Sequence, residues 1–203
     1  MTHLLVVRHG RTVWHAENRY AGSTDVELAP TGYEQAERLA AWASDARLTA
    51  IWCSHLRRAR ETAAPAAHAT GLDVHIDKRL SELDFGLVEG KTISEAEQLY
   101  PEAISRFKSD PVANPMPGGE DPRQAASRFV TALREIAAAN PNGRVLIVAH
   151  NTIIRLMLCA LLGIPLARYR TIFPGVRNAA LTEIRLDSEN AALIQYNAPL
   201  IPK

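Results

Sequence analysis

The apolar run Leu4-Leu5-Val6-Val7 ends in Arg8-His9-Gly10. A guanidinium and an imidazole side by side, where a buried strand gives way to a loop, suit the gripping and attack of a phosphate. Alone, His9 reads as a core histidine, so the tripeptide needs partners. Three further groups supply them in order along the chain. Ser54-His55-Leu56-Arg57-Arg58-Ala59-Arg60-Glu61-Thr62 follows the short run Ile51 to Cys53. Leu80-Ser81-Glu82-Leu83-Asp84-Phe85-Gly86 brings candidate acids, with Glu89 close behind. Val148-Ala149-His150-Asn151 opens a helical pattern.

These residue types fit one chemistry. Phosphoryl transfer needs positioning and neutralisation of oxygen charge more than covalent ingenuity. Arg8 and Arg58 can take phosphate oxygens bidentately. His9 must be neutral on its attacking nitrogen and would carry the phosphoryl group before water removes it. His150 adds a donor at a helix start, where an anion is favoured. Gly10 is expected to let the backbone pass close to the phosphate. No metal or cofactor is expected, because arginine and histidine supply the positive charge.

Other chemistries fail on the same sequence. A cysteine phosphatase loop counted from Cys53 would place its arginine where Ala59 stands, and no Gly-x4-Gly-Lys-Ser/Thr loop occurs. His and carboxylates do not cluster at metal-ligand spacing. The net charge of +1 argues against a nucleic-acid partner. The two cysteines, Cys53 and Cys159, make neither a disulfide framework nor a zinc motif. No signal peptide and no membrane span are read, so the expected location is the cytoplasm.

The elements that must position these groups alternate. Strands are expected at Leu4 to Val7, Ala50 to Cys53, Leu72 to Ile76, Val145 to Val148, Ala179 to Leu186 and Ala191 to Tyr196. Helices are expected from Thr31, at Arg58 to Thr70, Thr92 to Lys108, Asp121 to Ala139 and Ile153 to Leu162. Two all-apolar strands among helices imply a single-domain α/β three-layer sandwich, a mostly parallel central sheet with helices on both faces. In such sheets ligands bind beyond the carboxyl ends of the strands, where Arg8-His9 and His150 could share one crevice.

The four groups in this order, with the stretch Trp14 to Ala36, resemble the histidine phosphatase superfamily, the fold shared by cofactor-dependent phosphoglycerate mutases and many small phosphatases. The resemblance runs from about Leu4 to Leu186. It implies a metal-independent phosphomonoesterase acting through a phosphohistidine on His9. Glu82 matches the family's general acid, which protonates the leaving oxygen and then activates water. Arg8, Arg58 and His150 complete the catalytic set, and Thr12, His15, Ala21, Gly22 and Asn151 are expected to contact substrate. Glu120, after Pro117-Gly118-Gly119, resembles a family residue that braces the pocket. A mutase is the alternative, as is a non-catalytic phosphate-binding protein on the same fold. Leu83 and Asp84, standing where mutases carry basic residues after the acid, favour hydrolysis. The segment 91–119 is expected to form a lid over a small phosphorylated substrate, with Tyr20, Phe107 and Met116 as apolar contacts. A homo-oligomer is left open.

Two positions depart from the family pattern. His15 stands where the family usually has Asn, and a protonated His15 would give a mildly acidic optimum. Asn151 replaces the usual Gly, either as a helix N-cap with Thr152 or as a group that narrows the site.

Overall fold

Along the central strands, successive side chains fall into two different cores. Leu4 and Val6, with Val145 and Ile147, pack among Phe129, Leu133, Ile153 and Met157. Leu5 and Val7, with Leu146 and Val148, pack among Leu39, Ala59 and Ala63. This period-2 division makes the sheet the middle of three layers. A computed structural model describes residues 1–200. Its chain runs β1 (Thr2–Arg8), α1 (Pro30–Asp45), β2 (Ala50–Cys53), α2 (Arg57–Thr70), β3 (Val74–Ile76), α3 (Ile93–Leu99), α4 (Pro101–Ser109) and α5 (Pro122–Ala139). It continues through β4 (Arg144–Ala149), α6 (Asn151–Leu161), α7 (Tyr169–Ile172), β5 (Leu181–Leu186) and β6 (Ala191–Ala198).

The six-stranded sheet has the order β3-β2-β4-β1-β5-β6. The strands from β3 to β1 are parallel, and β5 and β6 extend the sheet antiparallel, as expected of a mostly parallel α/β sandwich. The register decides where the chemistry falls. Arg8 pairs with Ala149 and Cys53 with Val148, so three strands end level with one another. His9 and His150 are the next residues on adjacent strands, and the His9 N–H donates to the Ala149 carbonyl at 2.9 Å. Arg58 lies in the first turn of α2, reached directly from β2.

Several expected boundaries move. Thr92 to Lys108 is two helices, because Pro101 opens the second and Tyr100 before it leaves the helical region (φ −137°, ψ 54°). The strand expected from Leu72 begins at Val74, and the one expected from Ala179 begins at Leu181, after Ala179 itself adopts φ 55°. Helix α6 starts at Asn151 rather than Ile153. Helix α7 had no separate signal, since its four residues are too short for a period to register. Among the described residues no helix is long and apolar enough to cross a membrane.

Gly10 has a reason of its own within the fold, beside any approach to phosphate. A Cβ there would meet the Gly32 carbonyl oxygen at 2.6 Å, and one on Gly32 would meet the Arg11 carbonyl oxygen at 2.1 Å. The two glycines let the loop after β1 lie directly on the first turn of α1, which fixes His9 at the strand end.

Candidate active site

Beyond the level ends of β1, β2 and β4 lies a cavity of about 350 Å³. Arg8, His9, Thr12, His15, Ala21, Gly22, Arg58, Glu82 and Asn151 line it. His150, the remaining residue expected there, is fully buried behind them, its ring centroid 5.1 Å from that of His9.

The tautomers follow from the partners. His9 Nδ1 lies 2.7 Å from the Gly10 carbonyl oxygen, which can only accept, so Nδ1 carries the proton and Nε2 keeps its lone pair. Burial, then the charges of Arg58 and Arg8, hold the His9 pKa well below the ordinary histidine value. The ring is therefore neutral at pH 7. His150 Nδ1 accepts from Arg58 Nε at 3.2 Å, which puts its proton on Nε2. Burial and Arg58 likewise keep His150 neutral. Among the described residues, His150 Nε2 and Arg8 Nε are buried donors without a hydrogen-bond partner.

The arginines are fastened by backbone carbonyls. Arg58, 1% exposed, donates to Thr24 and Gly22 at 2.8 and 2.7 Å. Arg57, not Arg58, pairs with Glu61 on the surface. Arg8 donates to the Val176 carbonyl at 2.6 Å. Burial pushes the Arg8 guanidinium down to about 10, which still leaves it charged at neutral pH.

Glu82 is 8% exposed and sits against the start of α6. One carboxyl oxygen accepts from the Leu83 and Ile153 N–H groups at 2.9 Å each, and the other from Thr152 at 3.0 Å. This carboxyl satisfies the first turn of α6, the task expected of Asn151. Asn151 is instead the first residue of the helix, and its Oδ1 accepts from the Val176 N–H at 3.0 Å. It ties down the loop whose carbonyl holds Arg8.

The competing acids have other work. Glu89 accepts from the Ser23, Thr24 and Phe85 N–H groups, pinning the loop at 20–25 to the Phe85 turn. Asp84 accepts from the Gly86 N–H and does not line the cavity. Glu120 forms an ion pair at 2.7 Å with Arg128, and Arg128 donates to the carbonyls of Arg79, Ser81 and Glu82. The pair clasps the segment that carries Glu82.

His15 behaves unlike its expectation. Its Nδ1 lies 3.0 Å from the Thr12 backbone nitrogen, and its Nε2 lies 2.6 Å from Arg8 Nη2 and 3.4 Å from Asn178 Nδ2. Thr12 Oγ1, 2.7 Å from Nδ1, can accept one ring proton, but a second, on Nε2, would face the Arg8 and Asn178 donors. Burial and the nearby charge of Arg8 push its pKa down to about 4, so the ring is neutral across the working range and the acidic optimum loses its basis.

Of the apolar contacts expected, Tyr20 lines the cavity, edge-on to Phe85 at 4.9 Å. Phe107 lines an adjoining cavity, and Met116 is buried in the core. Sequence reasoning gave no role to Thr62, the last residue of the second group, whose hydroxyl accepts from the Gly10 N–H and donates to the Arg58 carbonyl. It missed Asn178, whose amide donates to the His9 carbonyl at 2.9 Å. The contacts to Gly10 and His9 span 52 and 169 residues of chain, which no local pattern announces.

Comparison with known proteins agrees with this geometry. Residues 4–199 match the model of the histidine phosphatase superfamily, branch 1. Phosphoserine phosphatase 1 of Hydrogenobacter thermophilus is 32% identical, over 97% of this chain and 92% of that protein. Phosphoglycerate mutase-like protein 4 of Arabidopsis thaliana is 37% identical, over 75% of this chain and 67% of that protein. Among solved structures, Bacillus stearothermophilus YhfR superposes with a TM-score of 0.92 at 29% identity, covering 98% of each chain. A mycobacterial glucosyl-3-phosphoglycerate phosphatase in complex with VO3 superposes with a TM-score of 0.88 at 29% identity, over 97% of this chain and 99% of that one. The chain belongs to the histidine phosphatase superfamily, branch 1.

Proposed function

We propose that this phosphoric monoester hydrolase uses His9 Nε2 to attack the phosphorus of a small phosphorylated metabolite. The N–P bond forms as the ester P–O bond breaks, and protonated Glu82 gives its proton to the departing oxygen. Water then attacks the phosphohistidine, Glu82 takes the proton, the N–P bond breaks and inorganic phosphate leaves. Arg8, Arg58 and His150 neutralise charge on the phosphoryl oxygens throughout. Thr12, His15, Ala21, Gly22 and Asn151 form the rim that contacts substrate. The segment 91–119 covers the cavity, and the cytoplasm is the proposed compartment.

One observation carries this reading. A proton on His9 Nδ1 leaves Nε2 as a nucleophile beside two buried donors, Arg8 Nε and His150 Nε2, that have no partner among the described residues. Orphaned buried donors are costly, about 1–3 kcal/mol each, and phosphate oxygens would satisfy both. A purely structural His9 would need neither. The test is rapid acid-free quenching after mixing with a radiolabelled phosphomonoester. Label is expected on the protein and absent from His9→Ala. Turnover of p-nitrophenyl phosphate without any trapped label, and unaffected by His9→Ala, would overturn the mechanism.

A further inference from the structure

Next to the phosphate end lies a second cavity of about 400 Å³, which shares Tyr20, Phe85, Ile93, Asn151 and Thr152 with the first. Its lining holds three cations, Lys108, Arg155 and Arg170, and no carboxylate. Lys108 is spoken for by an ion pair with Glu97. The two arginines are different. Arg155, on α6, is 7% exposed, yet among the described residues its only hydrogen bond runs from Nε to the Phe173 carbonyl at 2.6 Å. Its guanidinium lies 4.7 Å from the centroid of the Tyr169 ring, and among the described residues it has no acidic partner. Arg170 rests on the Phe107 ring at 4.4 Å and donates from Nε to the Tyr169 hydroxyl at 3.1 Å, again with no acid in reach among the described residues.

A buried cation without a counter-ion is expensive, and a second cation beside it raises the cost. Burial lowers the Arg155 pKa and the like charge of Arg170 adds to the effect, while Tyr169 and the Glu82 carboxylate, which makes no direct ion pair with it, only partly oppose them. Arginine also presents its donors in a planar fork that matches an oxyanion. Aromatic rings hold both guanidiniums in place, and the only carbonyl within reach of an outer nitrogen among the described residues is that of Phe107, a long 3.5 Å from Arg170 Nη1. We infer that Arg155 and Arg170 form a subsite for a second oxyanion, so the preferred substrate is a phosphomonoester that carries a further carboxylate or phosphate on the side away from its scissile bond. This rests on the hydrolase reading of the adjoining site and narrows it. A neutral sugar or alkyl phosphate would leave both cations unmatched.

The test uses phosphorylated hydroxyalkanoates of two to six carbons, each against the alkyl phosphate of the same length. A parallel series compares alkane bisphosphates with monophosphates. At the best length the second anion is expected to raise kcat/KM by about ten- to a hundredfold, the range of one or two charge-assisted hydrogen bonds. The carboxylate and bisphosphate series show which oxyanion the subsite takes. Arg155→Gln and Arg170→Gln are each expected to erase most of that ratio. Arg170 is half-buried, so its variant folds even where loss of the Arg155–Phe173 bond disturbs the core. A wild-type enzyme that cleaves alkyl phosphates and ignores the second anion at every length overturns the subsite alone. So do variants that lower both members of a pair equally, since that is the mark of a structural role. An enzyme that cleaves no phosphoester overturns the hydrolase reading and the subsite with it.

Discussion

The two ends of the joined cavity hold their arginines in opposite ways. At the inner end, Arg8 and Arg58 are held by the backbone carbonyls of Val176, Thr24 and Gly22, and Arg58 also by His150. At the outer end, Arg155 and Arg170 lean on the rings of Tyr169 and Phe107, with few of their donors engaged. Fixed donors suit a transition state whose charge must meet them without rearrangement. Ring-supported cations with free donors suit recognition, where the partner varies and the energy goes into discrimination. The inner end should therefore govern whether a phosphoester is cleaved, and the outer end which one.

Removing the nucleophile breaks this division most strongly. His9→Ala should lower kcat about ten-thousandfold or more on every substrate, with or without a second anion, because no other step bypasses the phosphoenzyme. A variant that lost only one substrate class would place His9 on the recognition side. Glu82→Gln should cost about a hundred- to ten-thousandfold on alkyl phosphates. It should cost less in the first step with p-nitrophenyl phosphate, whose leaving oxygen needs little protonation. Stopped-flow measurement should then show a burst of p-nitrophenol followed by slow turnover. Absence of any burst would mean that Glu82 chiefly supports the start of α6, which its three backbone hydrogen bonds also allow.

The same division separates what could be read in the sequence from what could not. Arg8-His9 and His150 each follow an apolar run, and parallel pairing sets those runs level, so strand logic alone brings them together. Arg58 follows β2 by the same rule, although only its burial separates it from Arg57 and Arg60. Glu82 follows no strand, and only the family resemblance selects it over Asp84 and Glu89. The outer end had no such rule. It depends on the break at Tyr100-Pro101, which turns Phe107 toward the cavity, and on α7, which is too short to leave a periodic trace. Arg155 sits in an apolar run that reads as a buried helix, and nothing local marks its charge as part of a site. The N-cap task expected of Asn151 falls instead to Glu82, a partner far away in the chain.

Acid stability sharpens the comparison from the inner side. His9, His15 and His150 are all neutral in the folded protein, with pKa values below the ordinary 6.5. Between the folded and unfolded values the unfolded chain binds more protons, so stability is present above about pH 6.5 and is lost as pH falls below it. Each histidine contributes up to about 1.4 kcal/mol per pH unit in that window. Urea midpoints between about pH 7 and pH 5 should fall steeply, and a variant lacking His15 should fall less steeply. A midpoint that stayed flat down to pH 5 would mean that the inner histidines are charged in the folded state.

The smallest expected effect lies at the boundary between the two ends. His15 stands against Arg8, and its charge would be the simplest source of an acidic optimum. Its pKa of about 4 puts that charge outside the usual assay range. Thr12 Oγ1, 2.7 Å from Nδ1, can accept the one proton of the neutral ring, while Nε2 faces the donors of Arg8 and Asn178, so a second proton there has no acceptor. In His15→Asn the carboxamide oxygen can still accept from the Thr12 N–H, and its NH2 can still approach a phosphate oxygen. The loss in kcat/KM should stay under about tenfold. Between about pH 5 and pH 8 the rate profile should keep its shape, because proton uptake by His9, not His15, sets any acid limb. That limb should lie below the ordinary histidine range in both proteins, since burial and two arginines hold His9 neutral. If His15→Asn moved the acid limb upward or removed an acidic optimum present in the wild type, His15 would be titrating in the working range. Its contact with Arg8 would then be opened by substrate, and the rim of the inner site would be less fixed than its carbonyl-held arginines suggest.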